Sequence, residues 1–334
     1  MQWALLPGLI LSLACAPALA ENKPWHGQTI RIVVGFSPGG GYDAYARLLA
    51  PHIERLSGAR VVVDNQPGAG GLLALNRLAR TASDELIIAL ANGEGAVIAQ
   101  LTGRPGVAYD MTAFRVVARL ADEQHVLLVR QGLGKDAAAT LAAPGVLKFS
   151  AMTRPDNLGD YAAVLCAALA RECRIVTGYP GSAEAARAVM TGEVDAITLS
   201  DSSGLAYARS GQASIVATIG LERSPLAADV PTLFELVKLP TERRRWLDFR
   251  LGIKSVGRVF LTAPDITPAR LAAWRSLWQQ LLDDPQLRAE AERQQRPIRP
   301  LDPDVVEREI HRALHALPSD ERDALRHLLI NEFS

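Results

Sequence analysis

The feature that most restricts the fold of this chain is an alternation, met twice, of short β-rich runs with amphipathic helical runs. Such alternation builds parallel sheets covered by helices. The first set comprises Ile30 to Val34, a helix from Tyr42 to Ser57, Arg60 to Val63, a helix through Leu72 to Arg80, and Leu86 to Ala91. Ala46, Leu49, Ile53 and Leu56 recur at the helical period and give the first helix its buried stripe. The second set follows His125 to Arg130. It runs through Leu147 to Ala151, the helix Leu158 to Ala170, Arg174 to Thr177, the helix Ala183 to Thr191, Ala196 to Leu199, and Ser214 to Ile219. Another strand, Arg258 to Leu261, and a long helical tail close the chain. Thr267-Pro268 starts a helix, because Thr caps and Pro at the first position lacks only an N–H that had no partner. Strand-like segments near Val126 to Val129 and Ile215 to Ala217 predict two crossings between two α/β lobes, and a molecule that closes like a hinge.

The first residues set the compartment. The apolar run Trp3 to Ala14 is shorter than the roughly 18 residues of a membrane helix, and Ala18-Leu19-Ala20 precedes polar Glu21. Residues 1–20 are therefore expected to be a signal peptide, although no Lys or Arg precedes the apolar run. Cys15 raises a lipoprotein alternative, which Ser12 disfavours because a lipobox requires an aliphatic residue there. The expected location is the periplasm. Of 334 residues, those remaining suit two domains at about 150 residues each. The expected division is 21–126 with 221–334 as a discontinuous first lobe and 127–220 as the second. With 36 basic and 36 acidic residues, nothing biases the chain toward nucleic acid or an anionic membrane. Cys166 and Cys173 remain as an even pair where disulfides are allowed. Seven positions apart on one helix they would lie about 10.5 Å from each other, too far to bridge. A disulfide therefore requires the helix to end near Ala170 and the chain to turn back at Arg171-Glu172.

The chemistry is concentrated in the loop from Gly35 to Asp43, between the first strand and the first helix, where three motifs overlap. Gly35-x-Ser37-x-Gly39 has the form of a hydrolase nucleophile elbow, but the oxyanion N–H after the serine would come from Pro38, which has none. Gly39-x-Gly41-x-x-Ala44 with Asp64 downstream imitates a dinucleotide fingerprint and keeps an NAD-dependent Rossmann enzyme as a rival reading. Against it, Asp43 would stand where a pyrophosphate's charge must sit. The third reading is an anion-binding nest of successive glycine N–H groups at the positive end of the helix dipole, with Asp43 capping the helix or holding a donor of the ligand.

Taken together, Gly39 to Asp43, Ala46-Arg47, Asn65 to Gly71, Tyr179-Pro180-Gly181-Ser182, Gly192 to Asp195, Arg223-Ser224-Pro225 and Asp229 to Thr232 resemble the signature of the Bug-type receptors of tripartite tricarboxylate transporters. In order and spacing the resemblance covers nearly the whole chain after the leader. It implies a two-lobe type II periplasmic-binding-protein fold, no catalysis, no cofactor or metal, and a monomer holding a small carboxylate for membrane transporter subunits or for a sensor kinase. Carried over by position, it implies contacts at Phe36, Ser37, Gly39, Gly40, Gly41, Asp43 and Asn92 in the first lobe. In the second lobe the implied contacts are Met152, Thr153, Arg154, Tyr179, Gly181, Asp201 and Ser202. The chain departs from the family at Gly35, at Ser83-Asp84-Glu85, and at Ala151 to Asp156, where Arg154 either clamps a second carboxylate or points to solvent. Elsewhere, His311 and His315 share a helical face without a third metal ligand, Trp274 and Trp278 read as core, and Arg243-Arg244-Arg245 as a solvated face.

Overall fold

A computed structural model describes residues 25–333 other than 83, 123, 135, 143 and 155. The leader expected over 1–20, with its cleavage position and Cys15, lies outside the described residues. The first part of the chain runs β1 (Thr29–Val34), α1 (Gly41–Ser57), β2 (Arg60–Asn65), α2 (Leu72–Leu78), β3 (Ile87–Asn92), α3 (Gly93–Leu101) and β4 (Arg115–Ala121). The second part runs β5 (His125–Arg130), α4 (Ala137–Ala142), β6 (Leu147–Ser150), α5 (Asn157–Leu169), β7 (Cys173–Val176), α6 (Ser182–Met190), β8 (Ala196–Ser200), α7 (Asp201–Ala208) and β9 (Ala213–Ile219). The chain closes with α8 (Leu233–Leu236), α9 (Thr241–Gly252), β10 (Arg258–Thr262), α10 (Pro268–Asp283), α11 (Pro285–Arg293), α12 (Pro303–Leu314) and α13 (Ser319–Ile330).

Two five-stranded sheets share one plan. The first has the order β2-β1-β3-β10-β4 and the second β7-β6-β8-β5-β9. In each, a central strand pairs parallel to both neighbours, and an antiparallel strand is inserted beside the trio: β10 next to β3, and β5 next to β8. This is the two-lobe α/β architecture that the alternation predicts. The chain passes from the first sheet to the second between β4 and β5 and returns between β9 and β10. In a parallel sheet, ligands settle outside the carboxyl ends of strands where the winding reverses. Those crevices lie between β1 and β3 in one sheet and between β6 and β8 in the other.

Helix α1 forms where its apolar stripe can reach the first sheet: Ala46, Leu49 and Ile53 are buried and Leu56 is half-buried. Gly58 stops it in the left-handed conformation. Trp274 and Trp278 of α10 pack into the same core, with the Trp274 ring 4.3 Å from that of Trp25. Burying side chains of this size stabilises by about 1.5 to 3 kcal/mol each. Thr267 caps α10 through the Arg270 N–H, with Pro268 in the first turn. Helices α9 and α13 pack on α5 beside the second sheet, whereas α12 packs on β4 and α3 beside the first. The final stretch therefore serves both halves. Helix α5 ends at left-handed Ala170, and the chain turns so that the Cα atoms of Cys166 and Cys173 lie 6.2 Å apart with their sulfurs bonded.

Candidate functional site

The two crevices face each other across a cavity of about 50 Å³. From the first half it is walled by Phe36, Gly40, Gly41 and Tyr42 after β1, Asn92 and Glu94 after β3, and Ala121, Gly257 and Arg258 at the adjoining strand ends. From the second half come His125, Met152, Asn157 and Leu158, Ser182, Leu199, Ser200 and Ser203. Five helices start at this cavity. Two cap themselves, Asn92 accepting from the Gly95 N–H of α3 and Asp156 from the Gly159 N–H of α5. The other three, α1, α6 and α7, begin at Gly40, Gly181 and Ser200 with no side-chain cap among the described residues. In α7 the Asp201 N–H already donates to the Gln124 carbonyl and the Ser202 N–H to Asp201 Oδ1, both at 2.8 Å. It is therefore the first turns of α1 and α6 that face the cavity with acceptors still to find, an arrangement that suits an anion.

The glycines earn their place by close approach. Gly40 has an ordinary φ of −81°, and the left-handed residue of the loop is Gly39. A Cβ on Gly40 would stand 2.9 Å from Ser182 Oγ, and one on Gly41 would stand 2.7 Å from Ser203 Oγ and 3.1 Å from Arg258 Nη2. The nest reading needs correction at two residues. The Gly39 N–H donates to Asp43 Oδ2 at 2.9 Å, and Arg47 Nε donates to the same oxygen at 2.9 Å. Burial raises the Asp43 carboxyl, but the bonds from Arg47, Gly39 and Asn65 outweigh it and hold it below its usual pKa. Asp43 thus braces its own loop through Oδ2, while its buried Oδ1 has no hydrogen-bond partner among the described residues, and the amides left for a ligand are those of the α1 first turn.

Of the positions expected from sequence, Phe36, Gly40, Gly41, Asn92 and Met152 line the cavity. The others stand elsewhere. Ser37 Oγ donates to the Pro180 carbonyl at 3.1 Å, tying the halves together beside the cavity. Thr153 accepts from Arg104 at 3.0 Å and gives its N–H to Asp156. Arg154 donates to the Leu329 carbonyl on α13 at 3.0 Å, so it neither clamps a ligand nor simply meets solvent. Tyr179 bonds Glu193 at 2.7 Å and borders a separate groove with Pro67 to Gly70. Gly181 is the residue before α6. Asp201 is fully buried and accepts from Ser224 Oγ at 2.6 Å, while Ser202 Oγ accepts from Arg296 at 3.0 Å. Because a helix turns about 100° per residue, Ser200 and Ser203 share the inward face and the two residues between them turn away.

Two residues that sequence reasoning missed dominate the site's polarity. Arg258 heads β10 opposite Asn92, lies 4.1 Å from the Tyr42 ring centre, and donates across the cleft to Ser200 Oγ at 2.9 Å. His125 heads β5 opposite Ser200. Both are first residues of antiparallel strands inserted beside parallel ones, so their N-terminal ends meet the carboxyl ends where ligands settle. The available signal was a polar residue at the head of an apolar strand, in His125-Val-Leu-Leu-Val and Arg258-Val-Phe-Leu. Behind His125 a buried polar chain runs through the wall. Arg250 donates to Glu94 Oε2 at 2.6 Å and to Asn157 Oδ1, and Asn157 Nδ2 meets His125 Nε2 at 2.9 Å. Burial raises the Glu94 carboxyl, opposed by the Arg250 charge beside it. Burial, with Arg250, Arg258 and Lys254 nearby, holds the His125 imidazole neutral well below its usual pKa.

Two helix-covered sheets with a cavity between their facing winding reversals make up the two-lobe fold of the periplasmic binding proteins. The chain belongs to the tripartite tricarboxylate transporter family receptors, whose family description matches residues 45–254. It is 29% identical over 244 residues to Protein BugT of Bordetella pertussis, covering 69% of this chain and 72% of BugT. It is likewise 29% identical over 242 residues to the UPF0065 protein of the tcbD-tcbE intergenic region of a Pseudomonas species, covering 70% and 71%. Among solved structures, MatC of Rhodopseudomonas palustris with bound malate superposes with a TM-score of 0.72 at 20% identity, covering 90% of this chain and 99% of that one. The R. palustris protein Rpa4515 with adipate gives 0.72 at 18% identity, covering 90% and 98%. These likenesses extend the resemblance read from the loops to the whole fold.

Proposed function

We propose that this chain is an exported, non-catalytic receptor that captures a small carboxylate between its lobes and presents it to a tripartite tricarboxylate-type transporter. One observation carries the reading: the helix N-termini of α1 and α6, without side-chain caps, converge with Arg258 on one cavity. A carboxylate placed there accepts charge-assisted bonds worth about 1.5 to 3 kcal/mol each. The malate and adipate held by structural neighbours support the same ligand class. In this reading the ligand first meets the α1 amides at Gly41 and Tyr42. The lobe comprising 127–220 then swings over it, bringing α6, α7 and Ser200, and Arg258 bonds from the opposite wall.

Calorimetry of the secreted protein against mono-, di- and tricarboxylates tests the proposal. At least one carboxylate should bind, and Arg258→Ala should weaken it by a factor of about ten or more, the loss of one hydrogen bond to a charged group. A folded protein that binds no carboxylate, or an Arg258→Ala variant that binds as tightly as wild type, would defeat it. Intact-mass analysis of the secreted chain should find Glu21 first, and a retained Met1 or a lipid on Cys15 would revise the export route.

A further inference from the structure

The buried chain behind His125 fixes which ring nitrogen carries the proton. A guanidinium only donates, so the Asn157 oxygen faces Arg250 and the Asn157 NH₂ faces His125. An NH₂ group only donates in turn, so His125 Nε2 must be the accepting lone pair and the proton sits on Nδ1. Stacking on Tyr161, with ring centres 3.8 Å apart and planes inclined by 22°, holds the ring in place. The ring lines the cavity, it is 4% exposed, and its Nδ1 has no hydrogen-bond partner among the described residues. A buried N–H donor with no acceptor is costly, and such groups in native folds usually await a ligand or water.

The charge and size of the cavity narrow what that donor meets. Arg258 is the one cationic side chain lining it among the described residues, and Glu94, which also lines it, has its charge matched by Arg250. One ligand carboxylate is therefore compensated, while a second would approach Glu94. Phe36, Met152, Leu158 and Leu199 supply apolar walls. At about 50 Å³ the cavity is small, which favours a compact acid. Resting on the carboxylate reading above, we infer that the ligand is a small monocarboxylate with a neutral oxygen beside its carboxylate, a 2-oxo or 2-hydroxy acid, and that the His125 Nδ1–H donates to that oxygen.

Calorimetry with pyruvate, lactate, propionate and succinate separates the alternatives, since propionate matches the first two in size but lacks the oxygen. Wild type should bind pyruvate or lactate about tenfold or more tighter than propionate, and should bind succinate more weakly than either. His125→Phe, checked for folding by thermal melting, should bring the oxo-acid preference close to one while propionate affinity stays within about threefold. His125→Asn, whose amide N–H overlays Nδ1, should restore part of the preference. Equal binding of propionate and lactate, or tighter binding of succinate, overturns the inference while leaving the receptor reading intact. Failure to bind any carboxylate overturns the receptor reading itself. Nitrogen-15 NMR of the wild type gives a readout independent of any variant: His125 should show the Nδ1–H tautomer, and an Nε2–H tautomer would refute the relay.

Discussion

Asp160 and Glu94 are both acidic and both buried, yet their surroundings treat them differently. Glu94 has Arg250 at 2.6 Å, whereas neither oxygen of Asp160 has a hydrogen-bond partner among the described residues. Burial, helped by the neighbouring Asp156 and only partly offset by Arg250, Arg104 and Arg154, pushes Asp160 up to about 8. The folded protein therefore binds a proton at Asp160 that the unfolded chain has already lost above its ordinary carboxylate pKa of 3.8. The stabilising effect is full below that value and disappears as pH rises through about 8. Asp160→Asn keeps the shape and removes the titration. Relative to this variant, wild type should lose stability between pH 5 and pH 9, by up to about 4 kcal/mol if little relaxes. Urea unfolding of both proteins at pH 5, 7 and 9 measures the gap, and parallel pH curves would mean that Asp160 is already charged in the fold.

At the scale of elements, α1 with its one wet face was legible, and of two helices buried nearly all round α5 was read and α3 was not. Helix α1 shows its stripe because the opposite face carries Arg47, Glu54 and Arg55. Helix α3 is buried along almost its whole length, so no amphipathic period marks it, and Gly93 and Gly95 weaken its first turn. Gly93 stands where a Cβ would meet Val256 at 2.5 Å, a demand set by a segment over 150 positions away. Strand β4 likewise lacks alternation because both its faces are covered. For the site, the loop at 35–43 was readable because glycines and a helix start are local signals. Arg258 and His125 were not, since only the pairing of β10 with β3 and of β5 with β8 brings them to the cavity. The α1 N-terminus yields a direct test. Gly41→Ala fits a helix and should not lower thermal stability, but its Cβ would press on Ser203 and Arg258. Carboxylate affinity should fall about tenfold or more by calorimetry. Unchanged affinity would mean that the halves need not approach this closely.

At the scale of the molecule, the balance between parted and closed lobes follows from how few bonds join them at the cavity. Ser37 to Pro180, Arg104 to Thr153, Arg258 to Ser200, Arg296 to Ser202 and, because α9 sits on α5, Arg250 to Glu94 are among the cross-sheet links described above. At a net 0.5 to 1.5 kcal/mol for the one ordinary bond and about 1.5 to 3 kcal/mol for each of the four with an arginine donor, they sum to about 6 to 14 kcal/mol before the entropy of immobilising the lobes is subtracted. A ligand adding one or two charge-assisted bonds to both walls is then large enough to shift the equilibrium. Helices α9 and α13 pack on α5, so they should travel with the second sheet whether or not ligand is present. Hydrogen exchange with and without the best carboxylate therefore has a definite expected pattern. Amides at 37–43 and 200–203 should gain protection on binding, and those of α9 and α13 should change little. Small-angle scattering should show the radius of gyration falling as ligand is added. Binding with neither change would mean that this receptor takes its ligand into a rigid cleft, and the hinge would have to be abandoned while the carboxylate site stood.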